Sequence, residues 1–293
     1  MTFARALRDL IHKEKTLIAP GVFDGMSALL TKQAGFSVLY ASGGAIARSM
    51  GYPDIGLVTM TEVLAVLAQI VDASKLPVIA DADTGFGNTL NVRRTVNEYE
   101  RLGLAGMHIE DQTFPKRCGH LEDKSLVTTE DMIAKIIAAA DARKDPDFLI
   151  IARTDAISVE GFDSAIKRAQ AYIKAGADMI FVEAPETVGQ IEAIAKHIPQ
   201  PKLINMFSGG KTPLVPVDKL KSLGYNLVII PSDLQRAAIF AMQKTLDAIQ
   251  KNGNSAAIEE LLTTFSEREN IIGTKTYLAK DALIAKKATS IGS

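Results

Sequence analysis

The stretch FLIIAR at 148–153, followed by DSAIKRAQAYIKAGADMIFVE at 163–183, contains a strand, a helix and a second strand in close succession. The two apolar, β-branched runs predict buried strands, because a strand of a parallel sheet is covered on both faces. The segment between them has apolar residues at helical spacing and ends at Gly176, a residue type that commonly terminates helices. The pattern predicts a β-α-β unit of a parallel sheet.

The same alternation continues along the chain in both directions. Units of strand followed by helix, with no sequence left over for a second domain, predict a closed (β/α)8 TIM barrel. The alternative is an open doubly wound sheet, which usually has a glycine-rich phosphate-binding turn after its first strand. That position here reads Ala19-Pro20-Gly21-Val22-Phe23-Asp24, which is not such a turn. The eight predicted strands are Leu17–Pro20, Ser37–Ser42, Pro77–Ala82, Gly106–Glu110, Phe148–Arg153, Asp178–Glu183, Pro201–Met206 and Asn226–Pro231.

Two segments fall outside this repeat. Thr113–Thr128 is polar and, at about 16 residues, too long for a routine turn after a strand, so it predicts a functional loop or a disordered segment. Residues 252–293 predict a helical C-terminal extension. We therefore expect one barrel domain over 1–293.

Composition limits the possible partners. The chain has 293 residues, with 33 basic and 34 acidic side chains and a net charge of −1. This balance argues against nucleic acid or an anionic membrane as partner. No stretch approaches the roughly 20 apolar residues of a membrane helix. The single cysteine, Cys118, allows no intrachain disulfide, which fits a reducing compartment, and we expect a cytoplasmic protein.

Polar residues follow the predicted strands, at the end of a barrel where catalytic residues cluster. Asp81 and Asp83 are two residues apart, so both point the same way from a strand. With Glu110 nearby they offer hard oxygen ligands, and neither His nor Cys stands beside them. The pattern predicts a Mg²⁺ site, with Mn²⁺ as the alternative ion.

Two further strand ends suggest groups that bind anions. Ser42-Gly43-Gly44 predicts a turn whose backbone amides face a carboxylate or an oxyanion. Arg153 has the geometry to hold a carboxylate with two hydrogen bonds. A structural ion pair of Arg153 with Asp155 or Glu183 is the alternative, and both interpretations can hold together.

The polar loop carries an unusual thiol. Cys118 stands between Lys116, Arg117 and His120, and cationic neighbours lower the pKa of a thiol. A lone cysteine is usually a small buried apolar residue, but this loop is too polar to belong to the core. The pattern indicates an acid or base on a mobile loop.

Five motifs together resemble the isocitrate lyase/phosphoenolpyruvate mutase superfamily, over about residues 3–285. The Lys-Arg-Cys-Gly-His motif is similar to that of the carbon–carbon lyase branch, whereas the phosphonate-forming mutases lack this cysteine. The motifs are Ala19-Pro20-Gly21-Val22-Phe23-Asp24, Asp81-Ala82-Asp83-Thr84-Gly85-Phe86-Gly87, His108-Ile109-Glu110-Asp111-Gln112, Lys116-Arg117-Cys118-Gly119-His120 and Ala152-Arg153-Thr154-Asp155-Ala156.

The resemblance implies roles for individual residues. Asp81 and Asp83 hold Mg²⁺, partly through water, with Asp54 and Glu110 in the outer shell of the ion. Cys118 is the acid/base of the gating loop, and Lys116, His120 and Arg153 are assigned to catalysis with it. Contacts with the substrate fall on Ser42, Gly43, Gly44, Gly119, Arg153, Glu183, Asn205 and Arg236.

The resemblance also implies an assembly and a reaction. The assembly is a homotetramer, a dimer of dimers that exchange their final helices. The reaction is retro-aldol, Claisen-type cleavage of a 2-hydroxy di- or tricarboxylate to a 2-keto acid and a second carboxylate. The alternatives are an oxaloacetate decarboxylase or hydrolase, and then a phosphonate mutase. The loop cysteine argues against the decarboxylase, and a phosphonate mutase or hydrolase would need a loop suited to phosphoryl transfer, which this loop does not resemble.

Two lyase subtypes compete for the substrate. Ser42-Gly43-Gly44, Phe181 and the region of Arg268 resemble 2-methylisocitrate lyases, whereas Phe181-Val182-Glu183-Ala184-Pro185 and 205–213 resemble 2,3-dimethylmalate lyases and oxaloacetate-cleaving relatives. Methylisocitrate lyases usually have a proline before the strand-six glutamate and an aromatic pair in the tail. This chain has Val182 and Ile271-Ile272-Gly273 at those places, which favours the dimethylmalate type.

Overall fold

A computed structural model describes residues 1–119 and 121–292. Its centre is a closed barrel of eight parallel strands, each paired with the next along the chain and the last with the first. The predicted (β/α)8 barrel is therefore confirmed. The strands are β1 (Leu17–Val22), β2 (Leu39–Ala41), β3 (Val78–Asp81), β4 (Gly106–Glu110), β5 (Leu149–Thr154), β6 (Met179–Val182), β7 (Lys202–Asn205) and β8 (Leu227–Ile230).

Each of the eight predicted strands coincides with an observed one, and the ends differ by up to two residues. β2 is the shortest, at three residues, because Ser42 leaves the sheet to begin a helix. β1 is longer than predicted and continues through Gly21, where a Cβ would lie 2.3 Å from the carbonyl oxygen of Pro231. Only glycine allows the backbones to approach so closely at that point.

Side chains two residues apart on a strand share a side, and this rule divides the core in two. On β5, Leu149 and Ile151 point into the barrel and belong to an inner cluster with residues of the other strands. Ile150 and Ala152 point outward into a larger cluster between the sheet and the surrounding helices. The inner cluster includes Leu7 of the first helix, so this helix closes the amino-terminal end of the barrel.

Helices connect the strands on the outside. They also lie before β1 and directly after β2. The helices of the first 235 residues are α1 (Phe3–Glu14), α2 (Gly25–Gln33), α3 (Gly43–Ser49), α4 (Met60–Ser74), α5 (Thr89–Arg101), α6 (Thr129–Ala142), α7 (Ile157–Glu160), α8 (Phe162–Lys174), α9 (Val188–His197), α10 (Val217–Ser222) and the start of α11 (Asp233–Asn252).

The chain divides into two compact units, and the second begins at Arg236. The second unit contains most of α11, a 3-10 helix (Ala256–Leu261), α12 (Phe265–Ile272) and α13 (Thr274–Gly292). α12 begins with a capping box between Thr264 and Glu267 and ends at Gly273, which has a left-handed backbone. In the part of the chain that the structure describes, no helix is long and apolar enough to cross a bilayer.

Candidate active site

The carboxyl ends of the strands bring the polar side chains predicted from the sequence to one end of the barrel. Glu110 follows His108 on the inward side of β4, and Arg153 follows Ile151 on the inward side of β5. The Nε of Arg153 lies 3.2 Å from the carboxylate of Glu110 and 3.9 Å from that of Glu183. These groups meet because a parallel barrel places every strand end of one kind at the same rim.

The carboxylates of Asp81 and Asp83, which are predicted to hold a metal, lie together with that of Asp54 at one side of this rim. We call this side the metal corner. Asp81 ends β3, and one of its carboxylate oxygens accepts a hydrogen bond of 2.9 Å from the amide of Asp83. The ammonium group of Lys116 forms an ion pair with Asp83 at 2.9 Å and a second one with Asp54. A cation is thus already favoured between these acidic groups.

Burial shapes the charge of this corner. It raises the pKa of Asp83 to about 6, an effect that Lys116 opposes and that Asp81 and Asp54 reinforce. Burial also raises the pKa of Glu110 well above its usual value, although Arg153 opposes the change. Burial lowers the pKa of Lys116, but the surrounding carboxylates outweigh it, and the pKa is raised well above its ordinary value. Additional positive charge at this point would favour ionisation of Asp83 and Glu110.

The donor set fits a hydrated hard cation. Over residues 1–119 and 121–292, no three His, Cys, Asp or Glu side chains converge as a complete set of ligands. Mg²⁺ does not require one, since it keeps several waters and commonly binds through one or two carboxylates. Glu110 is completely buried, and in the described chain its Oε1 has no hydrogen-bond partner. The carboxylates of Asp81, Asp83, Asp54 and Glu110 therefore offer the hard oxygen donors that the predicted ion prefers.

The segment Ser42-Gly43-Gly44 is not the turn that we expected. Ser42 caps α3, and its hydroxyl accepts a hydrogen bond from the amide of Ala45, so both glycines belong to the first helical turn. A Cβ on Gly43 would lie 2.7 Å from a carboxylate oxygen of Asp81. A Cβ on Gly44 would lie 2.6 Å from a carboxylate oxygen of Asp54. The glycines allow α3 to pack directly against these acidic side chains.

Arg153 is the centre of the opposite side of the site. Its guanidinium donates to both carboxylate oxygens of Asp155, at 2.9 and 3.1 Å, and lies over the ring of Phe181. Both ion-pair partners proposed from the sequence are therefore present. Asn205 donates a hydrogen bond of 3.4 Å to Glu183, which brings the ends of β6 and β7 into the same cluster.

The polar loop lies on this rim. The amide of Cys118 donates a hydrogen bond of 3.2 Å to the carbonyl of Asp54, next to the metal corner. Gly119 lies against the opposite side, because a Cβ there would be 2.5 Å from a guanidinium nitrogen of Arg153 and 2.8 Å from Cγ of Glu183. The loop thus spans from the metal corner to Arg153. The predicted catalytic residue His120 lies outside the described residues.

Tyr40 and His108, which sequence reasoning missed, lie inside the barrel next to Asp81. The hydroxyl of Tyr40 and Nε2 of His108 share a hydrogen bond of 2.8 Å, and the same nitrogen lies 3.6 Å from Asp81. Burial lowers the pKa of His108 against the opposing charge of Asp81, so the ring favours the neutral form. The alternation of side chains along a strand could have found them. His108 stands two residues before Glu110, and Tyr40 two before Ser42, so each points to the same side of its strand as a predicted site residue.

Asp111 is a third missed residue, and it points away from the barrel interior. Its carboxylate accepts hydrogen bonds from the hydroxyls of Thr154 and Tyr172, at 2.7 and 2.8 Å, and from the amide of Asp155 at 2.9 Å. Its carbonyl accepts from the amide of Val127, where the polar loop ends. Asp111 therefore fixes both the loop base and the backbone of Asp155. Arg236, a predicted substrate contact, lies in the second unit, and its role stays a prediction.

Comparison with known proteins agrees with this geometry. The model of a family described as phosphoenolpyruvate phosphomutase matches residues 7–250, most of the chain. The chain belongs to this family. The predicted membership of the isocitrate lyase/phosphoenolpyruvate mutase superfamily is confirmed.

Three relatives show how the chain stands within the family. It is 45% identical to 2-methylisocitrate lyase of Aeropyrum pernix, over 97% of this chain and 92% of that protein. It is 44% identical to 2,3-dimethylmalate lyase of Eubacterium barkeri, over 93% of this chain and 95% of that protein. A crystal structure of phosphonopyruvate hydrolase with oxalate and Mg²⁺ superposes with a TM-score of 0.87 at 32% identity, covering 96% of this chain and 99% of the other.

Proposed function

We propose that this protein is a Mg²⁺-dependent carbon–carbon lyase that cleaves a 2-hydroxy di- or tricarboxylate by retro-aldol chemistry. The products are a 2-keto acid such as pyruvate and a second carboxylate. The observation that carries the proposal is the position of the loop, in which the amide of Cys118 donates to the carbonyl of Asp54 and the next residue, Gly119, lies against Arg153 and Glu183. Relatives named as lyases of this kind, at about 45% identity, support it.

In this reaction Arg153 binds the substrate and Cys118 donates a proton. Arg153 holds a carboxylate of the substrate, because its guanidinium is fixed at the strand end by Asp155 and the neighbouring acidic groups. The 2-hydroxyl passes its proton to a carboxylate of the rim, which holds it until the loop opens, and the electron pair of the C2–C3 bond passes to C3, next to the carboxylate that Arg153 holds. Cys118 then donates a proton to C3 while the loop excludes water. The hydroxyl proton restores the thiol through solvent after the loop opens.

The metal corner serves the other end of the substrate. Mg²⁺, held by Asp81 and Asp83, would polarise the oxygens that become the 2-keto acid. Gly43 and Gly44 bring the amides at the start of α3 next to this corner. Lys116 favours its charged form and balances the acidic groups around it. The neutral pair of Tyr40 and His108 keeps Asp81 oriented from below.

The choice of substrate depends on few residues. Identity to the two named lyases is nearly equal, 45% and 44%, and does not separate them. Val182 precedes Glu183 at the end of β6 where methylisocitrate lyases usually have proline, and the tail lacks their aromatic pair. We therefore propose a substrate of the 2,3-dimethylmalate type, with 2-methylisocitrate as the second candidate.

One experiment tests the reaction class and the substrate together. Purified protein with Mg²⁺ is incubated separately with 2,3-dimethylmalate, 2-methylisocitrate, isocitrate, oxaloacetate and phosphonopyruvate, and the products are identified by NMR. We expect a 2-keto acid and a second carboxylate from one of the first two compounds. Cleavage of oxaloacetate or phosphonopyruvate alone would replace the proposal by the decarboxylase, hydrolase or mutase alternatives.

The assembly is a further part of the proposal. The helices of the second unit expose large apolar side chains, among them Phe240, Phe265 and Tyr277. Such surface is unusual for a protein that works as a monomer. We propose that a second copy covers it through exchanged C-terminal helices in a homotetramer, that residues 252–293 extend a single barrel domain, and that the enzyme works in the cytoplasm.

A further inference from the structure

Lys124 occupies an unusual position on the polar loop. Its ammonium group donates hydrogen bonds to the carbonyl of Gly119 at 2.5 Å and to the carboxylate of Asp155 at 3.0 Å. The side chain is only 2% exposed, and that of Asp155 is fully buried. Lysine is seldom buried to this extent unless its charge is paired. This contact therefore joins the loop to the strand end at β5.

Glu122 and Asp123 of the same loop form exposed ion pairs, whereas Lys116 is buried in its own pairs with Asp54 and Asp83. Glu122 pairs with Lys211 while 82% exposed, and Asp123 pairs with Arg117 while 86% exposed. Ion pairs in such positions usually contribute little, because water and salt screen them. A buried pair is screened much less, and removal of one partner leaves the other charge buried. Lys124 and Glu122 thus offer a matched comparison on the same loop.

Asp155, the carboxylate that Lys124 contacts, also binds Arg153. The carboxylate of Asp155 also accepts two hydrogen bonds from the guanidinium of Arg153, and its amide donates to Asp111. The charges of Arg153 and Lys124 outweigh the effect of burial and hold the pKa of Asp155 at about 2, so the carboxylate stays ionised. Lys124 therefore docks on a fixed negative charge that also orients Arg153.

We propose that Lys124 is a positioning residue that fastens the loop over the site and places the thiol of Cys118. Through Gly119 it fixes the backbone next to Cys118, and through Asp155 it couples the seated loop to the orientation of Arg153. It acts through these groups and not on the substrate. The effect on turnover rests on the proposed function, whereas the effect on the loop does not.

The test uses the chemical accessibility of the thiol. Because Cys118 is the only cysteine, alkylation by iodoacetamide reports on this loop alone. The rate is measured on the full-length, Mg²⁺-loaded protein across a pH series, and the plateau rate of the thiolate is compared between variants. The plateau separates accessibility from any change in the pKa of the thiol.

We expect Lys124→Met to raise the plateau rate of Cys118 alkylation at least tenfold. Lys124→Arg, which keeps the positive charge, should have a plateau rate close to that of the wild type. Glu122→Gln, which changes a charge on the same loop, should react like the wild type. With the carboxylate that the wild type cleaves as substrate, Lys124→Met should lower kcat more than it raises KM. If Lys124→Met does not fold by circular dichroism, Lys124→Gln replaces it in the same assay.

A wild-type alkylation rate in folded Lys124→Met, or in Lys124→Gln where that variant replaces it, would overturn the proposal, whatever the activity. Equal acceleration in Glu122→Gln would overturn it as well, since any disturbance of the loop would then have the same effect. Failure of the proposed function looks different. In that case none of the carboxylates is cleaved by the wild type, while the alkylation rates still separate Lys124→Met from Glu122→Gln.

Discussion

At Gly119 the absence of a side chain decides how closely the loop approaches the site. We expect Gly119→Ala to lower kcat/KM at least ~10²-fold, because a Cβ there meets Arg153 and Glu183 and displaces the thiol by about 1 Å. The control is Gly189→Ala on α9, where a Cβ meets no atom closer than 3.7 Å. It should retain activity and gain about 0.5–1 kcal/mol in stability. Steady-state kinetics and urea unfolding measure both, and unchanged kcat/KM in Gly119→Ala would contradict the seated loop.

Cys118 carries the proposed proton donor. Replacement by serine keeps the shape of the side chain but raises the pKa of the donor far above neutral pH, so we expect kcat to fall ~10²–10⁴-fold. Binding of Mg²⁺ should persist, because Asp81 and Asp83 do not depend on the thiol. Kinetics measures the first effect, and the Mg²⁺-dependent rise of Tm measures the second. Full activity in the serine variant would remove Cys118 from the mechanism.

At the scale of elements, one network outside the barrel joins α8, β4 and β5 to the loop. The hydroxyl of Tyr172 on α8 donates to Asp111 and accepts from Arg168, which also donates to the carbonyl of Val127 at the end of the loop. We expect Tyr172→Phe to lower the free energy of unfolding by about 1–3 kcal/mol, because it leaves buried groups without a partner.

Urea unfolding checks this value, and Cys118 alkylation shows whether the loop loosens with it. Tyr225→Phe is the comparison, since its hydroxyl donates to the carbonyl of Ile191, away from the loop. That variant should lose stability without a change in alkylation. A Tyr172→Phe protein as stable as the wild type would show that the network does not hold these elements together.

The Mg²⁺ proposed for Asp81 and Asp83 at the end of β3 can be removed and restored. Removal of Mg²⁺ with EDTA should abolish turnover, and added Mg²⁺ should restore it. A Mg²⁺ concentration of 100 times Kd should stabilise the fold by about 2.7 kcal/mol through mass action. Asp83→Asn should lose most of this stabilisation in a thermal-shift titration. An EDTA-treated protein with full activity would exclude the metal from the reaction.

At the scale of the whole molecule, the proposed assembly depends on the exposed apolar side chains of the second unit. We expect a tetramer by size-exclusion chromatography with light scattering, because Phe265 and Tyr277 are more than 70% exposed in the single chain. Phe265→Asp should shift the mass toward smaller species. The control Leu90→Asp changes an exposed apolar residue on α5 and should leave the mass unchanged. A wild-type monomer would contradict the proposed exchange of helices.

The barrel and most of the site follow from the sequence. Buried parallel strands are nearly continuously apolar, so runs such as 148–153 mark the strands without any alignment. The barrel topology then places every strand end at one rim, and this brought Asp81, Glu110 and Arg153 into one prediction. These features could be predicted because the apolar runs and the repeated strand–helix units are visible along the chain.

Other features depend on side chains that meet only in the folded chain. The sequence predicts a turn at 42–44, whereas packing against Asp54 and Asp81 extends a helix over the glycines. Lys124 and Asp155 are separated by 31 residues, and no spacing rule relates them. The family motifs identified the loop and its cysteine from the sequence alone. Only the tertiary structure decided how the loop is held, because a buried ion pair depends on where two distant backbones pass each other.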